Sequence, residues 1–122
     1  MQHGWDIEFT DEFGRWWDTL PLAAQEAIAH DVEVLGHVGP ALGRPLVDNV
    51  RLSRHANMKE LRTQHRRSAF RILFAFDPRR SAILLVGGDK AGTSRFYAQA
   101  VREADHLYDE HLETLRKKGL IG

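Results

Sequence analysis

Met58-Lys59-Glu60-Leu61-Arg62-Thr63 and Phe70-Arg71-Ile72-Leu73-Phe74-Ala75-Phe76, two runs separated by six residues, read as neighbouring strands. In the second run Phe70, Ile72, Phe74 and Phe76 fall on one side of an extended chain, and Arg71, Leu73 and Ala75 on the other. Asp77-Pro78-Arg79-Arg80 supplies a turn with Pro at its second position. Beyond it Ile83-Leu84-Leu85-Val86 is apolar without alternation, as suits a strand covered on both faces and lying near the middle of a sheet. The pattern predicts strands over 58–63, 70–76 and 82–86, the last broken by Gly87-Gly88.

Upstream, the stretch from His37 to Asn49 holds Gly39, Pro40, Gly43 and Pro45, so a connecting loop is expected there. Before it, Ala24, Ile28, Val32 and Leu35 line one side of a helix with Pro21 at its start and Gly36 placed to end it. A shorter helix precedes that one, with Thr10 as N-cap, Asp11 and Glu12 in its first turn, and Phe13, Trp16, Trp17 and Leu20 along one face. Trp5-Asp6-Ile7-Glu8-Phe9 alternates as a half-buried strand does. Downstream, Phe96, Ala100, Ala104, Leu107 and His111 recur at spacings of three and four in a helix over about 94–118, closed by Gly119. The order β, α, α, β, β, β, α predicts an α+β fold: a small antiparallel-rich sheet with an N-terminal helix pair and a C-terminal helix packed on it.

The 122 residues suit one domain over 1–122, and a content of 43% hydrophobic and 28% charged residues argues against disorder or a coiled coil. No apolar run has the roughly 18 residues of a membrane span. MQHGWDIEF has no basic region leading into an apolar one, and there is no Cys, so a cytoplasmic protein without a secretory signal is expected. The net charge of +0 conceals an asymmetry. Residues 1–40 carry one base, Arg15, against eight acids, whereas residues 41–100 carry twelve bases against four acids. A basic middle segment is what neutralising phosphates requires.

Alternation turns Leu61 toward the core and sends Glu60 and Arg62 to the other face, where Arg71 also lies. These three share a face near an Arg66-Arg67 hairpin tip and the Lys90 loop. Guanidinium groups so placed can hold a phosphodiester and stabilise charge that develops on it. The same residues also make a cross-strand Glu–Arg ladder, worth little at a surface. Spacing alone does not choose between the two. Gly87-Gly88-Asp89-Lys90-Ala91-Gly92-Thr93-Ser94 lacks the GxxxxGK[ST] spacing of a phosphate loop. Neither His55 with His65 nor His106 with His111 makes a metal pattern, so no metal or cofactor is expected. Asp105, Asp109, Glu110 and Glu113 read as a solvated helix face.

Met58-Lys59-Glu60-Leu61-Arg62, then Ala69-Phe70-Arg71-Ile72-Leu73-Phe74, then Leu84-Leu85-Val86-Gly87-Gly88-Asp89-Lys90, and a helix bearing Tyr97, Ala100 and Ala104 together resemble the RelE/HigB superfamily of toxins from type II toxin–antitoxin systems. The likeness is greatest to its HigB or phage-derived branch and covers about residues 57–104. It implies a RelE-like fold and a ribosome-dependent mRNA endonuclease that works without a metal. A 2′-hydroxyl would attack the adjacent phosphate, leaving a cyclic phosphate and a free 5′-hydroxyl. It also implies a cognate antitoxin, commonly a helix-turn-helix protein, as partner beside the ribosome and mRNA, and no membrane.

Carried onto this chain, the resemblance has Arg71 contact the scissile phosphate and Arg62 share in stabilising charge. Tyr97 would stack on a base or transfer a proton, and Glu60 or His65 would be the base. Lys90 would meet a neighbouring phosphate, and Lys59, Arg66, Arg67 and Arg95 complete the expected RNA-binding set. This chain departs from RelE-type enzymes by placing Met58 and Glu60, rather than lysines, on the strand of Arg62, with Lys59 on the opposite parity. Fold does not fix activity. The alternatives are a ParE-like inhibitor of DNA gyrase and a non-catalytic module that binds an antitoxin.

Overall fold

The structure, a computed structural model, describes residues 4–89 and 94–122, with side chains for all of these except Ser94, Arg95 and Phe96. Its elements are β1 (Asp6–Phe9), α1 (Asp11–Asp18), α2 (Leu22–Val38), β2 (Val47–Asn49), β3 (Met58–His65), β4 (Ser68–Phe76), β5 (Ser81–Asp89) and α3 (Ser94–Lys117). The strands form one sheet in the order β1-β5-β4-β3-β2, with β1 parallel to β5 and the other pairings antiparallel.

Local signals explain most boundaries. Thr10 Oγ1 accepts the Phe13 N–H at 3.0 Å and donates to the Leu85 carbonyl at 2.7 Å, so the α1 cap also pins the helix to the sheet. At the far end of α3, Gly119 adopts φ 71°, and the Gly119 and Leu120 N–H groups donate to Arg116 and Leu115 in a Schellman arrangement. Asp77 to Arg80 makes the expected turn, closed by the Arg80 N–H on the Asp77 carbonyl.

Three expectations need correction. Helix α2 does not end at Gly36; it runs to Val38, and Gly39, at φ 74°, caps it. The stretch from His37 to Asn49 is not wholly a loop, because Gly39–Ala41 forms a 3-10 turn and Val47–Asn49 pairs with β3. Gly87-Gly88 does not break β5, which continues to Asp89. The two glycines instead serve opposite faces. Gly87 pairs with Ile72 on the helix-pair face, where a Cβ would lie 2.3 Å from the Trp16 ring. Gly88 pairs with Arg71 on the other face, so β5 itself contributes no side chain at that position.

Both faces of the sheet are packed. Phe13, Ala24, Ile28 and Leu35 of the helix pair bury Leu61, Phe70, Ile72 and Phe74. On the opposite side α3 contributes Val101, Ala104, Leu107 and Tyr108 against Met58, Leu73, Ala75, Ile83 and Leu85. The face expected to be open and basic is therefore half covered. Helix α3 is also tied down by polar contacts, which corrects the solvated-face reading of two of its acids. Asp105, 4% exposed, accepts from the Ser53 hydroxyl and the Arg54 N–H, and Asp109 pairs with Arg54 and His55. Glu110 and Glu113 are the exposed pair that was expected.

His111 Nε2 lies 2.9 Å from Asp77, which also receives Arg79. Burial alone would raise the Asp77 pKa, but hydrogen bonds from His111, Arg79 and two backbone N–H groups bring it below the usual carboxylate value.

The close approach of Trp16 to Gly87 sets a test. Gly87→Ala should destabilise the fold by about 1–3 kcal/mol through overpacking. Gly43→Ala, whose Cβ would meet nothing within 4 Å, should shift stability by less than about 0.5 kcal/mol. Urea denaturation of the two variants checks the contrast.

Candidate active site

The end of the α3 face that the described residues leave uncovered is built from β3, β4 and Tyr97 of α3. Arg62 and Arg71 are directly opposite each other in the β3–β4 register. Like charges in that position repel; here a carboxylate stands between them. Glu60, 2% exposed, lies one pleat along β3, with Oε2 3.0 Å from Arg62 Nε and 3.3 Å from Arg71 Nε. Its Oε1 accepts the Tyr97 hydroxyl at 2.8 Å. The Arg71 guanidinium sits over the Tyr97 ring, 5.7 Å from its centroid. Both oxygens of a buried carboxylate are thus used to hold two guanidiniums by their Nε atoms and one phenol by its hydroxyl. The arginine side chains themselves remain 43% and 32% exposed.

Four of the residues singled out in the sequence therefore meet: Glu60, Arg62, Arg71 and Tyr97. His65 does not join them. Strand β3 extends to His65, and alternation puts Lys59, Leu61, Thr63 and His65 together on the helix-pair face. Leu61 packs there, and Thr63 donates to Asp31 of α2. His65 instead lines a cavity of about 470 Å³ beside Trp16, Leu20 and Phe70. Arg66 and Arg67 are exposed at the two-residue hairpin tip, where Arg66 adopts φ 55°. Lys90 lies outside the described residues, as does the side chain of Arg95.

Two residues enter the cluster that the sequence did not reveal. Asp48 of β2 lies 3.4 Å from Arg62 Nη2 and is also held by Arg44. Three residues of strand are too few for an alternation to be recognised, so the pairing of Asp48 with Glu60 leaves no mark that periodicity can find. Arg44 holds the Asp48 carboxyl below its usual pKa, helped by the Asn49 N–H and Arg62. Tyr97 shifts the other way: burial first, then the hydrogen bond to and charge of Glu60, push its phenol well above the tyrosine range despite Arg71 and Arg62. The phenol stays neutral near neutral pH. Two cations held on one hydrogen-bonded carboxylate can bind an anion, and the phenol beside them, whose single proton goes to Glu60, keeps that carboxylate in place.

The fold is that of the RelE toxins. A mutant of the E. coli toxin RelE in its free state superposes with a TM-score of 0.58 at 14% identity, covering 84% of this chain and 97% of that one. The toxin–antitoxin complex RelBE2 from Mycobacterium tuberculosis matches with a TM-score of 0.52 at 16% identity, covering 73% of this chain and 99% of that one. In sequence, the family of phage derived Gp49-like proteins matches residues 15–109. The chain belongs to that family, within the RelE/HigB superfamily of toxins.

Two Mycobacterium tuberculosis relatives carry the names "Putative toxin HigB2" and "Putative toxin HigB3". The first is 47% identical over 111 residues, 89% of this chain, and the chain spans about half of it, 55% of its length. The second is 48% identical over 99 residues, covering 80% of this chain and 85% of the relative.

Both tyrosines of the chain test the electrostatics. Tyr108 is also shifted upward, by burial and by Asp77 against the opposing hydrogen bond from Asn57. Each folded phenol keeps a proton that the unfolded chain releases near pH 10, so the stability it contributes is present below pH 10 and is lost as pH rises above it. Ultraviolet titration of the native protein should show little phenolate at pH 10. Half-ionisation of the tyrosines at that pH in the folded state would contradict the geometry.

Proposed function

We propose that this chain is the toxin of a toxin–antitoxin pair and that it inhibits translation by cutting mRNA on the ribosome. The observation that carries the reading is the opposed pair Arg62 and Arg71, each held at Nε by buried Glu60 while its side chain stays partly exposed. Guanidiniums fixed in this way are ready for phosphate oxygens, and they lose little freedom when a phosphate arrives.

In the reaction, a 2′-oxygen forms a bond to the adjacent phosphorus while the bond from phosphorus to the 5′-oxygen breaks. The proton on the 2′-hydroxyl passes to solvent water, and one is delivered to the leaving 5′-oxygen. Charge accumulates on the phosphorane oxygens in between, and Arg71 with Arg62 stabilises it. Tyr97, kept protonated, delivers to the leaving group once its hydroxyl turns away from Glu60, to which it donates in the free site. Glu60 itself, hydrogen-bonded at both oxygens, serves as the counter-ion that orients the cations. His65 is on the wrong face to act as base, and Lys59 shares that face. Arg66 and Arg67 at the hairpin tip are placed to meet RNA at the margin. None of these steps calls on a metal or cofactor.

A cognate antitoxin follows from the same reading. The structural neighbours from Pyrococcus horikoshii and Mycobacterium tuberculosis are themselves RelE–RelB and toxin–antitoxin complexes. Among the described residues no helix is long and apolar enough to cross a membrane, and the proposed site of action is the cytoplasm.

Primer-extension mapping of a defined mRNA in a purified translation system tests the reading. Wild-type protein should cut only when ribosomes are present, and Arg71→Ala should lower cleavage by about 10²–10³-fold, as removal of a charge-stabilising group does. Intact mRNA with the folded wild type would overturn the nuclease reading in favour of gyrase inhibition or a non-catalytic module.

A further inference from the structure

Arg44 belongs to none of the motifs that mark the site, yet the structure connects it to them. It precedes β2, at one edge of the sheet. Its Nε and Nη2 both donate to Asp48 Oδ2, at 3.2 and 3.0 Å. The same oxygen faces Arg62 Nη2, and Glu60 joins Arg62 to Arg71. Charges consequently alternate from β4 to the β2 edge as Arg71, Glu60, Arg62, Asp48, Arg44.

Burial divides this row by sign. The carboxylates are 2% and 21% exposed, whereas exposure of the arginines rises outward from 32% at Arg71 through 43% at Arg62 to 77% at Arg44. The anions are the sunken members and the cations the presented ones, with three positive charges against two negative. A ladder made only for stability gains little from so exposed a partner as Arg44. Strands lie about 4.8 Å apart, so cations on β4 and β3 and one just ahead of β2 span on the order of 10 Å. That reach exceeds what one phosphate group can occupy.

We propose that Arg44 is an RNA-binding residue, the outer member of a track formed with Arg62 and Arg71 that crosses the strands and engages a phosphate flanking the scissile one. The track rests on the reading that Arg71 faces the scissile phosphate, and extends it to the β2 edge. Asp48 and Glu60 space the guanidiniums and keep them from dispersing, while their outer edges stay available to the backbone of a single strand. Contacts of this kind position RNA without reading its sequence.

The test is equilibrium binding to mRNA-programmed bacterial ribosomes over a salt series, with a short single-stranded RNA as second probe. Four proteins are compared: wild type, Arg44→Gln, Arg71→Ala, and Arg15→Gln as an exposed control on α1. Arg44→Gln should raise Kd about five- to tenfold and reduce the slope of log affinity against log salt by about 0.7, the loss of one single-strand phosphate contact. Arg15→Gln should change neither. Thermal melts should be unaltered for Arg44→Gln, since its side chain is 77% exposed.

If Arg44→Gln matches Arg15→Gln while Arg71→Ala binds weakly, the track ends at Arg62 and this proposal fails, with the nuclease reading intact. If the wild type binds neither probe, or Arg71→Ala is also without effect, the functional reading itself fails and takes the track with it.

Discussion

A buried carboxylate between two opposed arginines organises this protein's candidate site. Arg62 and Arg71 face each other across β3 and β4, a placement that costs free energy unless an anion intervenes. Glu60 provides that anion from 2% exposure, and it is tolerable there only because both of its oxygens are hydrogen-bonded. Each group makes the others permissible. Removal of either cation leaves buried negative charge poorly compensated, and removal of the carboxylate lets the cations separate.

The rest of the fold keeps that arrangement at an open end of the sheet. Helix α3 covers Met58, Leu73, Ala75, Ile83 and Leu85 and brings Tyr97 to Glu60. Its length is held by Asp105 and Asp109 against residues 53–55 and by His111 against Asp77. On the other face the helix pair closes over the aromatic stripe of β4, with Trp16 seated against Gly87. One residue further, Gly88 pairs with Arg71 on the opposite face.

Much of this was legible in the sequence because strong periodicity survives wherever a strand has one face in the core. The alternation through Phe70, Ile72 and Phe74 located the central strand and put Arg71 on the far side. The same reasoning at Leu61 paired Glu60 with Arg62. Carried two residues further, it would have removed His65 from the set of candidates, since His65 shares the parity of Leu61. Expecting β3 to stop at Thr63 hid that. Gly87-Gly88 was misread because backbone propensity disfavours glycine in strands, whereas the need for close approach overrode it. Asp48 and Arg44 were out of reach: a three-residue strand carries no period, and its partner is set by long-range pairing.

The central claim is that Glu60 acts through the arginines it holds, and a double-mutant cycle on ribosome-dependent cleavage measures this most directly. Glu60→Gln and Arg71→Ala would be assayed singly and together for kcat/KM on one mRNA site, with folding checked by thermal melting. The account predicts strong coupling, the double variant losing far less than the product of the single losses, because with Arg71 absent part of what Glu60 does is already gone. Losses that simply multiply would contradict it, and would make Glu60 an independent participant in the chemistry.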